Sequence, residues 1–309
     1  MQGKVRNQAR RTDCLFCGRV MPPKRIKDGG KTDEHIIPKW LIKHLGIRGA
    51  SFRPGQMDVR SRTIIHSRHH SVNSLVAGNV CSTCNGGWMA QLENEAEPLL
   101  KMLISDPHQI FGLTDVQRHI VARWTFKTAA VFNRASSFGN PANDLSRPVP
   151  VEHLRAICAG QVPKDVAVVG GGCRCERSFD YFQSDNWSGP ANSVPLRPEC
   201  QFRSYKVGLS FKDLLLAVAF YPDSEYHYGV MHGRYFPLWS GARGTVCAAL
   251  EIEATPILSG SPVLESFVRA IFVVSRAWWA LRENVERTRL VVPAGGPGSV
   301  MEYPAVAYF

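Results

Sequence analysis

At 309 residues with 44% hydrophobic side chains, the chain can bury a sizeable core and fill two ordinary domains, which excludes a disordered or fibrous polymer. No apolar run reaches the roughly 18–20 residues of a membrane helix: Phe211–Tyr221 is short, and Arg269 and Arg276 break Phe267–Leu281. The net charge of +11 is confined to one end, because residues 1–70 carry 16 Lys and Arg against 5 Asp and Glu while residues 71–309 carry 21 of each. A localised positive face of this kind draws polyanions.

The first eleven residues are basic but are followed by no apolar stretch, so they read as a mobile basic arm rather than a secretory signal. Nine cysteines, of which four fall into CxxC pairs, fit a metal site better than a disulfide framework. Both observations lead us to expect a cytoplasmic protein. Cys14-Leu-Phe-Cys17-Gly18 has the spacing of a zinc knuckle. Met21–Lys31 reads as a short extended piece and a Gly-Gly turn, which makes Thr32–Ile37 the second strand of a hairpin carrying the acid–imidazole pair Glu34-His35.

Pro38 suits the first turn of a short helix ending at Gly46, with Trp40, Leu41 and Leu45 inward and His44 at the surface. Residues 47–70 read as a basic insertion or hairpin whose His66, His69 and His70 lack zinc spacing. Cys81-Ser-Thr-Cys84 is the second knuckle, and the two pairs together predict a four-thiolate zinc site that supplies folding energy. Asn85–Ala96 has helical spacing, with Trp88, Met89 and Leu92 on one face and Glu93, Glu95 and Glu97 towards solvent; Pro98 interrupts it. A first domain is expected to end near residue 105.

Thr114-Asp-Val-Gln117 is a capping-box signature, and Val116, Ile120, Val121, Trp124, Ala129, Val131 and Phe132 continue as a long amphipathic helix, whose Arg118, Arg123 and Lys127 could touch phosphate but read first as a solvated face. Residues 135–150 read as a loop and Val151–Ala159 as a short helix. Val166–Val169, Phe202–Leu209, Leu214–Tyr221 and Thr245–Ala254 read as strands, Gly170–Cys175 as a loop, and Val263–Glu286 as a buried helix containing Trp278 and Trp279. Residues 106–309 therefore form a second, α+β domain with a mainly antiparallel sheet, for targeting, assembly or ligand sensing.

Hydrolysis of a phosphodiester needs a base for water and oxygen donors for a cation at the phosphate. His35 suits the base, since its ordinary pKa lies near neutrality. Glu34 and the amide oxygen of Asn85 are hard donors of the kind Mg²⁺ or Mn²⁺ prefers. The basic residues Lys24, Arg25, Lys27, Lys31, Lys39 and Lys43 surround this segment and are candidates for the nucleic-acid contact.

Cys-x-x-Cys, then Glu34-His35-Ile-Ile-Pro38, then Cys81-x-x-Cys84-Asn85 ahead of a helix resembles the zinc-stapled HNH endonucleases over about residues 12–97. The resemblance implies a ββα-metal core. It implies His35 as catalytic base, Glu34 and Asn85 as ligands of a catalytic Mg²⁺ or Mn²⁺, and Cys14, Cys17, Cys81 and Cys84 as ligands of a structural Zn²⁺. The middle asparagine of the motif has no residue in register, Val76 standing where it is expected, with Asn73 and Asn79 as the nearby candidates. The Cys-Asn-x-Gly-Trp-Met phrase and the Trp124-Thr-Phe-Lys-Thr-Ala helix are similar to a bacterial subgroup of such nucleases. The expected activity is metal-dependent cleavage of nucleic acid, foremost DNA, as in a bacterial defence effector. A zinc-stapled nucleic-acid-binding protein without turnover is the alternative. No membrane partner is expected; a homo-oligomer and a small-molecule activator stay open.

Overall fold

The computed structural model describes residues 13–22, 30–52, 55–57, 64–67, 69–135, 149–175, 177–185, 204–222, 226–231, 235–239, 245–248, 264, 267–268, 271–275, 290–293, 300–303 and 306–308. The arm of residues 1–11, Lys24, Arg25, Lys27, most of the 135–150 loop, Trp278 and Trp279 lie outside them.

Strand β1 (Lys31–His35) is followed by helix α1 (Lys39–Leu45), which ends on Gly46 at φ 71°. The left-handed turn suits a residue without a Cβ, and its N–H reaches back to the last carbonyls of the helix. Two small ribbons follow, β2 (Ser51–Phe52) with β5 (His70–Ser71), and β3 (Gly55–Met57) with β4 (Ile64–Ser67). The insertion read from residues 47–70 thus has hairpin character. Strand β6 (Val76–Cys81) returns antiparallel to β1, pairing Lys31 with Cys81 and His35 with Val76 across an irregularity at Asp33. The partner that the described residues give the Glu34-His35 strand is the segment leading into the second knuckle; residues 23–29, expected to pair with it, lie outside the described residues.

The second knuckle forms the short helix α2 (Ser82–Cys84), and a wide π-type turn, Asn85–Met89, leads into α3 (Ala90–Ser105). Gly87, at φ −98° and ψ −112°, breaks the helical path inside that turn, a local irregularity of the kind that re-aims side chains. Pro98 lies within α3 and does not end it. Its ring faces solvent, where the carbonyl that loses its partner can bond water, so a bend costs less than a break.

Helix α4 (Asp115–Ala135) starts with the expected capping box: Gln117 N donates to Thr114 Oγ1 at 3.3 Å and Thr114 N to Gln117 Oε1 at 2.9 Å. Its middle is buried nearly all round, from Val121 to Asn133 with Arg123 alone half-exposed, as befits a helix packed between layers. On one side lie α3 and β6, and on the other a five-stranded antiparallel sheet. That sheet has the order β12-β7-β10-β9-β8, comprising β7 (Val166–Gly172), β8 (Phe179–Asp185), β9 (Tyr205–Phe211), β10 (Leu214–Phe220) and β12 (Phe236–Trp239). Helix α5 (Val151–Cys158) packs beside α4. Trp124 joins the layers, 6.4 Å from the Trp40 ring of α1 and 5.8 Å from Phe211 of β9.

The continuous apolar run of β10 is buried on both faces. Leu264, Phe267, Val268 and Ile271 cover the far face with Tyr221, Tyr228 and Tyr235. Gly170–Gly172 belongs to β7 rather than to a loop, and a Cβ on Gly170 would run into Ile110, Leu216 and Leu238. A second sheet, β14-β11-β13-β17, contains β11 (Tyr226–Met231), β13 (Thr245–Ala248), β14 (Phe272–Ser275) and β17 (Val306–Tyr308), with β11 and β13 parallel. Strands β15 (Leu290–Pro293) and β16 (Val300–Tyr303) form a ribbon. The expected helix over Val263–Glu286 is corrected by β14: Val-Val flanked by Phe and Ser pairs with β11, and only Leu264, Phe267 and Val268 are helical among its described residues.

The protein thus combines helices with mainly antiparallel sheet, an α+β composition with a four-cysteine cluster. One apolar core cluster holds buried residues from Cys14 to Leu238. Among the described residues no helix is long and apolar enough to cross a membrane.

Candidate metal centre and adjoining cleft

Cys14, Cys17, Cys81 and Cys84 bring their sulfurs within 4.8 Å of one another. The Cys17 and Cys81 sulfurs are 3.7 Å apart, against about 3.8 Å for two corners of a tetrahedron with Zn–S bonds of about 2.3 Å. The backbone prepares the cluster: Cys81 N donates to Cys14 Sγ and Cys84 N to Cys81 Sγ, both at 3.4 Å. Leu15 N donates to Asn79 O at 2.8 Å, tying the first knuckle to β6. Gly18, at φ 71°, closes that knuckle with its N–H on Cys14 O at 2.9 Å. The Arg155 guanidinium from α5 donates to Phe16 O and fills the space where a Cβ on Gly18 would lie.

Four thiols this close cannot all ionise alone. A hydrogen bond from Cys84 draws Cys14 down to about 4, while Cys84 and Cys81 are pushed up, Cys84 first by that same bond and Cys81 by burial. A cation among the sulfurs removes this conflict. The cluster is compatible with a structural metal such as zinc.

Beside it lies a cleft of about 270 Å³ whose lining includes Asp33, Glu34, His35, Asn85, Glu93 and Asn94. Glu34, His35 and Asn85, singled out from the sequence, therefore meet despite some fifty residues of separation. The pairing of β1 with β6 and the direct run of Cys84 into Asn85 bring them together. Asn85 Nδ2 donates to Thr32 Oγ1 at 3.1 Å, and Thr32 Oγ1 donates to Val80 O at 2.9 Å. With its nitrogen used as donor, the amide keeps its oxygen as the atom suited to a cation.

His35 is half-buried; burial and then Lys39 hold its pKa below the ordinary 6.5, against Asp33. The neutral imidazole dominates at pH 7. Of its two ring nitrogens, Nδ1 is buried without a hydrogen-bond partner among the described residues. Glu34 is 8% exposed. Burial raises its pKa, and the Lys127 ammonium opposes that rise.

Two expectations are corrected at this cleft. Lys127 is not on a solvated face: its side chain is 1% exposed and lies 3.6 Å from Glu34 Oε1, in close contact with Glu93 Oε1. Glu93 does not point to solvent, since its other oxygen accepts from Trp40 Nε1 at 2.9 Å. The two carboxylates raise the Lys127 pKa above 10.5 despite its burial. Sequence reasoning missed this triad; its one available signal was a lysine within a run of apolar and small residues.

Lys31, Lys39 and Lys43 are exposed. Asn73 is exposed in the turn before β6, and Asn79 is used through its carbonyl by the knuckle; neither lines the cleft. His69 is exposed, and among the described residues the four cysteines are the cluster of His, Cys and acidic side chains close enough together to hold a metal ion. Neither protein-family models nor curated proteins nor solved structures give a match to this chain.

Proposed function

We propose that the protein is a metal-dependent endonuclease of the zinc-stapled HNH type, cutting phosphodiester bonds of DNA in the cleft between β1 and α3. One observation carries the reading: Glu34, His35 and Asn85 converge on one concave site beside the four-cysteine cluster. The antiparallel pair β1 and β6, which leads through the second knuckle into α3, supports the reading by supplying a strand pair and a helix at that site. Exposed Lys31, Lys39 and Lys43 near the cleft suit phosphate contacts that hold the polyanion without reading its sequence.

Glu34 and Asn85 would hold Mg²⁺ or Mn²⁺, which when bound neutralises charge on the phosphate and the departing oxygen. His35 accepts a proton at Nε2 from the attacking water, and its depressed pKa keeps the acceptor free at neutral pH. The water oxygen bonds to phosphorus, the bond to the leaving sugar oxygen breaks, and that oxygen takes a proton from solvent. The zinc staple fixes Asn85 by holding Cys84 next to it, a structural role separate from the chemistry.

The other reading, nucleic-acid binding without turnover, is favoured by the Lys127 ammonium, which already partly neutralises Glu34. Relaxation of supercoiled plasmid separates the two. Nuclease function predicts nicking with Mg²⁺ or Mn²⁺ that EDTA and His35→Ala each abolish. DNA binding with identical products from wild type and His35→Ala would leave only the binding reading. Such a nuclease suits a bacterial defence effector in which residues 106–309 govern target, assembly or a small-molecule trigger.

A further inference from the structure

We propose that Lys127 is a positioning residue of the cleft, which holds Glu34 for a divalent cation from helix α4 and uses Glu93 as its anchor. The inference rests on the nuclease reading above and extends the site beyond β1, β6 and α3.

A lysine ammonium with 1% exposure is costly unless it is paired. Its two carboxylate partners come from different elements, β1 and α3, and both line the cleft. Lys127 therefore lies beneath the floor of the site, on a helix whose other side packs against the five-stranded sheet.

The two carboxylates differ in what they have left to offer. Glu93 uses Oε1 on Lys127 and Oε2 on Trp40 Nε1, and the Trp40 ring is itself braced by Trp124, three residues before Lys127. Glu93 is thus committed on both oxygens. Glu34 Oε1 stands 3.6 Å from the ammonium, beyond the roughly 2.7–2.9 Å of a tight charge-assisted bond. The attraction orients the Glu34 carboxylate without using up its lone pairs. One ammonium between two carboxylates also leaves a unit of negative charge at the cleft, which a divalent cation can meet. Groups that orient a ligand from behind in this way commonly alter metal affinity or activity by about 10- to 100-fold when removed.

A double-mutant cycle on the zinc-loaded full chain tests this, with Mn²⁺ binding followed by the electron paramagnetic resonance signal of free Mn²⁺. Wild type, Glu34→Gln, Lys127→Met and the double variant are compared. If Lys127 acts through Glu34, Glu34→Gln weakens Mn²⁺ binding by about tenfold or more in the wild-type background and several-fold less in the Lys127→Met background. Plasmid nicking falls about 10- to 100-fold in Lys127→Met and recovers in part in Lys127→Arg, while Lys164→Ala, an exposed lysine, nicks as wild type.

The same Glu34→Gln factor in both backgrounds, or a wild type that binds no Mn²⁺, overturns the inference. Should Lys127→Met fail to fold, Lys127→Met/Glu93→Gln, which also removes one of the stranded charges, replaces it in the cycle with the same two outcomes. Coupled Mn²⁺ binding in a protein that never nicks DNA supports the role of Lys127 and removes the nuclease reading. Metal-dependent nicking with uncoupled binding does the reverse.

Discussion

Replacing Lys127 with Met keeps the length of the side chain and removes its charge, which isolates what the ammonium contributes to stability. At an effective dielectric of about 20, two unit charges 3.6 Å apart attract by roughly 5 kcal/mol. Removing one partner of a buried pair typically costs about 3–5 kcal/mol, because the other charge stays behind unpaired. Here two carboxylates stay behind, with side chains 10% and 15% exposed. Since about 1 kcal/mol shifts the melting temperature of a large domain by roughly 2–4 °C, the expected fall is about 6–20 °C. Thermal denaturation of the zinc-loaded protein by circular dichroism measures it. The sign of the pH dependence follows from burial, which raises the Glu34 pKa above 4.5. A carboxyl whose folded pKa is raised stabilises the fold at low pH and loses that contribution as pH rises through the raised value. The gap between Lys127→Met and wild type should therefore be widest at neutral pH and narrow towards pH 4.5. Adding Glu93→Gln to Lys127→Met should restore part of the loss by removing one stranded charge. A fall below 2 °C that does not change with pH would refute the buried-triad account.

The pH profile of kcat/KM for nicking should rise with pH with its inflection below pH 6.5, because burial depresses the His35 pKa and the neutral ring is the base; an inflection above 6.5 speaks against His35 in that role. Chelation, or Cys84→Ser, should remove one zinc per chain by elemental analysis and unfold the β1–β6 region, since structural zinc contributes on the order of 10 kcal/mol; unchanged melting would contradict a structural metal. Asn85→Ala should lower nicking by about tenfold or more while leaving zinc content and DNA affinity intact. Trp40→Phe removes one hydrogen bond to Glu93 and should cost about 1–2 kcal/mol, read by chemical denaturation.

What was legible in the sequence was local. Paired cysteines at fixed spacing pointed to a cluster, and the structure brings all four sulfurs together. The capping box at Thr114 and Gln117 encodes its own hydrogen bonds and starts α4 as expected. Glu34, His35 and Asn85 share a cleft because Asn85 is one residue from a cluster cysteine and Glu34-His35 lies on the strand beside it. The partner of that strand was not legible, since β6 is about forty residues away and pairing over such a distance leaves no local mark. Lys127 and Glu93 were misplaced for a related reason: polar residues on an amphipathic helix are assigned to solvent, yet the middle of α4 is buried nearly all round and its one lysine is neutralised by tertiary neighbours. Phe272–Ser275 shows the same limit, where an apolar run fits a buried helix or a buried strand equally well and β11 decides.

The central claim is a division of labour between two metals, with thiolates holding zinc for stability and the cleft holding a hard cation for chemistry. Anomalous diffraction from a crystal grown with Mn²⁺, recorded at the zinc and manganese edges, tests it most directly. The account predicts a zinc peak among Cys14, Cys17, Cys81 and Cys84, and a separate manganese peak in the cleft bonded to Glu34 and the oxygen of Asn85. A manganese peak absent from the cleft, or bound away from both residues, would contradict it.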